Sequence, residues 1–114
     1  MSKPSDFVQG TLDVLLLKIL ALEPLHGWAI SQRLTAVSGN VLQVSEGSLY
    51  PALQRLLKSK LVKAEWGVSS TNRRVRTYEI TAAGMRHLEK EISSFERMFA
   101  GIALVLDPGK STTN

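Results

Sequence analysis

The sequence contains no cysteine, which excludes disulfide bridges and thiolate metal sites. It also lacks a long hydrophobic run: the longest, Val14 to Leu22, is interrupted by Lys18 and is too short to cross a bilayer. The first residues lack the apolar core of a secretory signal. A chain of 114 residues suffices for one hydrophobic core but not for two. We therefore expect a single cytoplasmic domain.

Catalytic constellations are missing as well. The sequence shows no pair of carboxylates, no nucleophile with a base and no cluster of metal ligands. His26 has neither an acid nor a nucleophile beside it, so we expect it to cap or pack at the start of a helix. We predict neither an enzyme nor a metal or cofactor site.

Acidic residues are scarce in one stretch of the chain, residues 55–76, where Glu65 is the only one. That stretch carries a net charge of +6, while residues 1–54 and residues 77–114 each carry −1. A concentrated basic region on an otherwise neutral chain is typical of nucleic-acid binding. The alternative, a membrane-surface patch, needs an aromatic or leucine stripe beside the cations. We therefore expect double-stranded DNA, and no membrane, as the partner.

One amphipathic helix is predicted over residues 44–60, and the rest of the chain is organised around it. Its apolar face comprises Leu49, Ala52, Leu53, Leu56 and Leu57. Its outer face comprises Gly47, Pro51, Gln54 and Lys58, with Tyr50 and Arg55 beside them. Small residues, an amide and cations, without a carboxylate after Glu46, suit contact with a polyanion, although an ordinary surface helix is the alternative. The expected N-cap is Ser45 or Ser48, and the latter would leave Pro51 in the first turn.

Two helices are predicted before this one. The first, with Thr11 as a plausible N-cap and Pro24 at its end, is apolar nearly all round, so we expect a partner subunit to cover one of its sides. The second runs from about Gly27 to Val37, and residues 41–44 are compatible with a very short strand. Two helices, a short connection and the amphipathic helix form a helix-turn-helix.

Two strand-like runs, Leu61–Trp66 and Arg74–Ile80, follow and are joined by the polar residues 67–73. A helix-turn-helix followed by a hairpin with a basic tip is a winged helix. Arg73, Arg74 and Arg76 could merely protect a solvated hairpin edge, but three arginines within four residues favour contact with phosphates.

A last helix, capped by Thr81, is predicted to run towards residues 107–108. Apolar residues recur in it at spacings of three and four: Met85, Leu88, Ile92, Phe95, Phe99, Ile102 and Leu106. This a/d pattern predicts dimerisation, and folding back on the same domain is the alternative. The expected dimer interface comprises Leu12, Leu16, Leu88, Ile92, Phe95, Phe99 and Ile102. A further hypothesis is a cavity between the subunits for a small hydrophobic or aromatic effector, and a packed core is the alternative. Its expected lining residues are Trp28, Phe95, Met98 and Phe99.

The predicted fold class is mainly α with a small β-hairpin (α+β). We expect a flexible N-terminus (residues 1–9), a winged helix DNA-binding domain (residues 10–80), a C-terminal dimerisation helix (residues 81–107) and a flexible tail (residues 108–114).

Four motifs, in this order, resemble the PadR family of bacterial transcriptional regulators: residues 10–17 (GTLDVLLL), 25–30 (LHGWAI), 47–53 (GSLYPAL) and 76–84 (RTYEITAAG). The short chain is similar to the smaller members of that family, with one C-terminal helix. The resemblance implies a homodimeric winged-helix repressor, sometimes released by a small molecule. At the positions of Trp28 and Lys60 the family usually has Tyr and Gly. A left-handed backbone at Lys60 would lower the stability by about 1 kcal/mol.

Roles on DNA follow from the residue types. Gln54 can form two hydrogen bonds with adenine. Tyr50 and Pro51 can make apolar contact with a thymine methyl group. We expect phosphate contacts from Ser45, Ser48, Arg55 and Lys58. The wing arginines Arg73, Arg74 and Arg76 should follow the backbone or enter the minor groove. A winged helix used for protein interaction is the alternative function, and the cation cluster favours DNA.

Overall fold

Four helices and a three-stranded antiparallel sheet make up the chain, in a computed structural model that describes residues 9–107 and 109. The elements in chain order are α1 (Gln9–Leu20), β1 (Leu25–His26), α2 (Gly27–Val37), α3 (Glu46–Lys58), β2 (Val62–Val68), β3 (Arg74–Ile80) and α4 (Ala82–Leu106). This α+β arrangement confirms the predicted fold class. Most of the two segments expected to be flexible lies outside the described residues. No helix in the described part of the chain is long and apolar enough to span a membrane.

Helix α1 lies at the centre of the core, where it contacts α2, α3, α4 and β3 of its own chain. Leu12 and Leu16 are only 3% and 0% exposed. The expectation that a partner subunit covers α1 is therefore wrong, and both leucines leave the expected dimer interface. The reason is that α4 packs against α1 within the same chain. Thr11 lies inside the first turn of α1 and is not its N-cap.

The sheet has the strand order β1-β3-β2. β2 and β3 form the predicted hairpin, with Val62 opposite Ile80 and Val68 opposite Arg74. The third strand is not the expected residues 41–44, which have no regular structure, but β1, which pairs Leu25 with Tyr78. Residues 41–44 instead lead into α3, and Val44 is buried in the core.

The turn between α2 and α3 depends on two residues with left-handed backbone, Gly39 (φ 65°) and Asn40 (φ 67°). The hydroxyl of Ser38 accepts a hydrogen bond of 2.9 Å from the Leu42 amide and so closes the turn. Ser45 is the N-cap residue of α3, although its side chain makes no capping hydrogen bond. Pro51 therefore lies inside α3 and not in its first turn, and the helical bond to the Gly47 carbonyl cannot form there.

One corner joins the end of α3, the start of β2 and the start of α4. Lys60 has the left-handed backbone (φ 62°) that the family resemblance suggested for this position. Thr81 caps α4 by accepting a hydrogen bond of 3.0 Å from the Gly84 amide. The same hydroxyl lies 2.8 Å from the Lys60 carbonyl oxygen and 3.0 Å from that of Leu61. Gly84 packs so closely on the Leu61 carbonyl that a Cβ would overlap it.

The two halves of α4 have different surroundings. Leu88 is buried in the core, and Ile92 and Phe95 pack partly against it. Farther along, Phe99 and Ile102 are 57% and 45% exposed. The first half of α4 thus folds back on its own domain, which was the alternative to dimerisation, and Leu88 leaves the expected dimer interface because its own chain buries it. The second half extends away from the core, consistent with a longest dimension of 57 Å against 29 and 27 Å for the other two.

Candidate nucleic-acid interface

The outer face of α3 is exposed as predicted, because the inner face is held in the core by Leu49, Ala52, Leu53 and Leu56. Gly47, Pro51, Gln54 and Lys58 all face outward. Ser45 is exposed and Ser48 half-buried, with their hydroxyl oxygens 3.5 Å apart at the start of the helix. The N-terminal part of α3 therefore presents small side chains, and its C-terminal part presents cations.

Tyr50 connects α3 to the start of α2. Its ring lies against Gly27, where an added Cβ would come within 2.8 Å of ring carbon Cε1. Burial raises the pKa of Tyr50 above its ordinary value of 10.0, and the neighbouring Glu46 and Tyr78 act in the same direction. The phenol therefore stays neutral near pH 7 and keeps its hydroxyl as a hydrogen-bond donor.

The tip of the wing is a compact polar turn. The Ser69 amide donates to the Arg73 carbonyl oxygen at 2.7 Å, and the Ser69 hydroxyl accepts from the Arg73 amide at 3.2 Å. Asn72 has a left-handed backbone, with φ 63°. These contacts leave the Arg73 side chain exposed at the tip.

The two faces of the wing differ in charge. On one face Lys63 lies directly opposite Glu79, and their charged groups are 3.7 Å apart. Lys63 is thus paired with an acid, although it belonged to the basic cluster in the sequence. The other face carries Arg74 and Arg76, and none of the ion pairs among the described residues involves either of them or Arg73.

An aromatic side chain that the sequence analysis did not select lies on this second face. Trp66 is opposite Arg76 in the hairpin and is 59% exposed. The guanidinium carbon of Arg74 lies 4.6 Å from the centre of the Trp66 ring, and that of Arg76 lies 5.9 Å from it. Arg76 is also 5.7 Å from the ring centre of Tyr78. Alternate residues of β2 share one face, so the sequence would have predicted Trp66 on the arginine face if the hairpin register had been known.

Two open depressions lie where α3 meets the wing. The first, of about 410 Å³, lies between the start of α2, α3 and the wing. Its lining comprises His26, Gly27, Trp28, Tyr50, Gln54, Trp66, Arg74, Val75, Arg76 and Tyr78. The second, of about 460 Å³, is lined by Gln54, Arg55, Leu57, Lys58 and Arg76. Gln54 and Arg76 line both, so the wing and α3 form one basic surface, and none of these lining residues is acidic.

Arg55 has a partner within the chain. Its guanidinium nitrogens lie 2.8 and 3.4 Å from the two carboxylate oxygens of Asp13 on α1. The side chains of Arg55 and Asp13 are 35% and 22% exposed, so the pair is partly open to water. Arg55 was predicted as a phosphate contact, and in this structure its charge is directed towards α1.

The residues of the expected effector cavity do not lie together in a single chain. Phe95 and Phe99 stack on α4, with ring centres 5.4 Å apart. Trp28 instead lines the depression beside α3 and the wing, and none of the residues lining that depression belongs to α4. Trp28 therefore does not meet Phe95 and Phe99 within one chain, whereas Met98 and Phe99 are exposed on α4.

Comparison with known proteins places this fold. Residues 16–90 match the model of a family described as the transcriptional regulator PadR-like family. A PadR-like transcriptional regulator of Bacillus cereus is 31% identical, with a TM-score of 0.72, over 86% of this chain and 93% of that one. A transcriptional regulator of Clostridium thermocellum is 26% identical, with a TM-score of 0.75, over 82% and 91%. Bacillus subtilis PadR in complex with operator DNA is 20% identical, with a TM-score of 0.65, over 72% and 46%, and shows the shared fold alone.

Proposed function

The chain belongs to the PadR-like family of transcriptional regulators, and from that premise we propose that it is a repressor that binds an inverted-repeat operator as a homodimer. It is a DNA-binding regulator of transcription, and acting on DNA gives it a cytoplasmic location. The observation that carries the proposal is the continuous basic surface of α3 and the wing, where Arg74 and Arg76 have no acidic partner among the residues that the structure describes.

The homodimer rests on the exposed second half of α4. Phe99, Ile102 and Leu106 continue the a/d pattern of the helix beyond the core, and all three are exposed in a single chain. Two copies of α4 that pack along this side would bury these side chains. Ile92 and Phe95 border the same seam. A twofold dimer presents two α3 helices, and helices spaced by about one turn of B-DNA require an inverted repeat.

The residues of the DNA-binding surface divide into those that recognise bases and those that contact phosphates. Gln54 is exposed at the middle of α3 and can hydrogen-bond adenine with both amide atoms, while Tyr50 and Pro51 border it. Ser45, Ser48 and Lys58 are placed for phosphates, and Arg55 joins them when it leaves Asp13. The wing arginines follow the backbone.

Two substitutions separate these roles. Replacing Gln54 by Ala should relax the base preference at one position per half-site, at a cost of about 1–3 kcal/mol. Replacing Arg74 by Ala should weaken binding to all sequences alike and lower the slope of log affinity against log salt by about 0.9 per wing. Binding of both variants to an operator obtained by in vitro selection, measured across salt concentrations, checks this.

The chain offers matched controls for both changes. Gln32→Ala removes an exposed glutamine on α2, and Lys63→Ala removes a wing cation that is already paired with Glu79. Neither should change base preference or the salt slope. If Arg74→Ala altered base preference while Gln54→Ala did not, Arg74 would recognise the bases and Gln54 would not.

A small hydrophobic or aromatic effector would bind between the two subunits. Phe95, Met98 and Phe99 would supply the apolar walls, since Phe95 and Phe99 already stack and Met98 and Phe99 are exposed. A panel of hydrophobic cations and phenolic acids should contain compounds that raise the melting temperature and release DNA, and Phe99→Ala should remove both effects. If no compound of the panel has either effect, the effector hypothesis is wrong and these residues form a packed core at the dimer interface.

A further inference from the structure

Trp66 is a large apolar side chain exposed on the wing, outside the hydrophobic core. Single exposed apolar side chains are common on protein surfaces, so the contacts of the ring, and not its exposure, indicate a role. Its ring is in contact with cations: the guanidinium carbon of Arg74 lies 4.6 Å from the ring centre and that of Arg76 lies 5.9 Å from it. Both distances are within the range of an attractive cation–π contact.

The hairpin register explains why these three side chains meet. Trp66 lies directly opposite Arg76, and the next residue along this face of β2, Val68, lies opposite Arg74. Side chains that share a face and are directly or diagonally opposite are within reach of one another. Trp66 therefore lies between two arginines whose side chains would otherwise be free to turn into solvent.

Stacking leaves an arginine able to bind phosphate. The guanidinium group uses its flat face on an aromatic ring, whereas its N–H donors point outward in the plane of the group. An arginine held on Trp66 thus keeps its donors and its full charge. An acidic partner would instead occupy the donors, as Glu79 neutralises Lys63 on the opposite face.

The stacked arginines are turned towards the recognition surface. Trp66, Arg74 and Arg76 line the same depression as Tyr50 and Gln54 of α3. Arginine side chains that are held on a ring in the free protein lose less rotamer entropy when they bind DNA.

We propose that Trp66 is a positioning residue of the DNA-binding surface: its ring holds Arg74 and Arg76 beside α3 in the free protein, with their N–H donors available for operator phosphates. This inference rests on the proposed function and assigns a role to a residue that itself needs no contact with DNA.

The first test is made on the free protein. In wild type, ring currents of Trp66 should shift the side-chain proton resonances of Arg74 upfield, and Trp66→Leu should return them to ordinary values. Amide resonances of residues 62–80 report whether the hairpin is intact. Trp66→Phe retains an aromatic ring and should preserve part of the shift, so the test stands even if the leucine variant unfolds the wing.

The second test is DNA binding by the same variants. Trp66→Leu should weaken operator binding about threefold to tenfold, because the contacts that hold the arginines are lost. The salt slope should remain that of wild type, because every cation is still present. Val68→Ala removes an exposed apolar group from the same face and should leave affinity unchanged. In a variant with both Arg74 and Arg76 replaced by Ala, Trp66→Leu should have no further effect.

Three results would overturn the inference: a Trp66→Leu variant that binds DNA like wild type, one with a salt slope as low as that of Arg74→Ala, or one that still weakens binding after both arginines are removed. None of these would affect the proposed function, since wild type would still bind its operator. A wild-type protein that binds no selected DNA would instead refute the proposed function, while the ring-current shifts would still report how Trp66 holds the arginines.

Discussion

Gly84 shows how a single residue fixes the geometry of this fold. It lies in the first turn of α4, directly on the Leu61 carbonyl and the Ile80 side chain, in space that a Cβ would occupy. Thr81, three residues earlier, binds the same region through its hydroxyl and its backbone amide. The Thr81 cap was predictable from the sequence, because a threonine preceding a long periodic segment is a typical helix start. The need for glycine at 84 was not, since it depends on a contact with a residue distant in the chain.

Replacing Gly84 by Ala should reduce the free energy of unfolding by about 3 kcal/mol or more, because the methyl group would overlap the Leu61 carbonyl, which accepts hydrogen bonds from the amide and the hydroxyl of Thr81. Thermal or denaturant unfolding measures this. Gly101→Ala, in the same helix but with no atom within 4 Å of the added Cβ, is the matched control. It should be neutral or stabilise by up to about 1 kcal/mol. Equal effects of the two substitutions would contradict the close packing described for Gly84.

At the scale of elements, sequence patterns indicated which surfaces are covered but not what covers them. The apolar residues of α1 correctly predicted a helix covered on several sides, yet α4 of the same chain covers the side that was expected to need a second subunit. Strand β1 was missed because two residues are too short for a periodic pattern. The outer face of α3, by contrast, was predicted correctly, because its period and composition are local properties.

The contact between α1 and α3 includes the ion pair of Asp13 with Arg55, which neutralises one cation of α3 at the edge of the basic surface. Asp13→Asn should lower the free energy of unfolding by about 1 kcal/mol, the scale of a partly exposed ion pair. The same change should tighten operator binding and steepen the salt slope, because Arg55 becomes free to contact a phosphate.

Calorimetry on the Asp13→Asn variant measures the expected loss of stability, and binding assays measure the expected gain in DNA affinity. Glu23→Gln, which breaks the ion pair with Arg33 on the exposed side of α2, provides a control that should not alter DNA affinity. If Asp13→Asn weakened DNA binding, Arg55 would serve to orient α3 and would not be a phosphate contact.

At the scale of the whole molecule, the proposed homodimer depends on the exposed second half of α4. Phe99→Asp should convert the proposed dimer to a monomer at micromolar concentration, because the new charges would be desolvated and would lie near each other across the twofold axis. Phe99 is a sharper probe than Phe95, since it is 57% exposed in one chain and its replacement leaves the core intact.

Light scattering gives the mass, and circular dichroism reports whether α4 is retained. Ser94→Asp introduces the same charge on an exposed position away from the a/d residues and should remain dimeric. A wild-type chain that is monomeric under the same conditions would refute the proposed assembly.

The corner of Lys60, Leu61, Thr81 and Gly84 has a mechanical consequence for the proposed dimer. It joins α4 to β2 and to the end of α3, so we expect α3, the wing and α4 of one subunit to move together. A rotation of about 10° at the seam shifts a point about 20 Å away by about 3.5 Å, close to the rise of one base pair. The angle between two helices would then be translated into the preferred distance between half-sites. Affinity for operators whose half-site spacing is lengthened or shortened by one base pair would measure how strongly the dimer prefers one spacing.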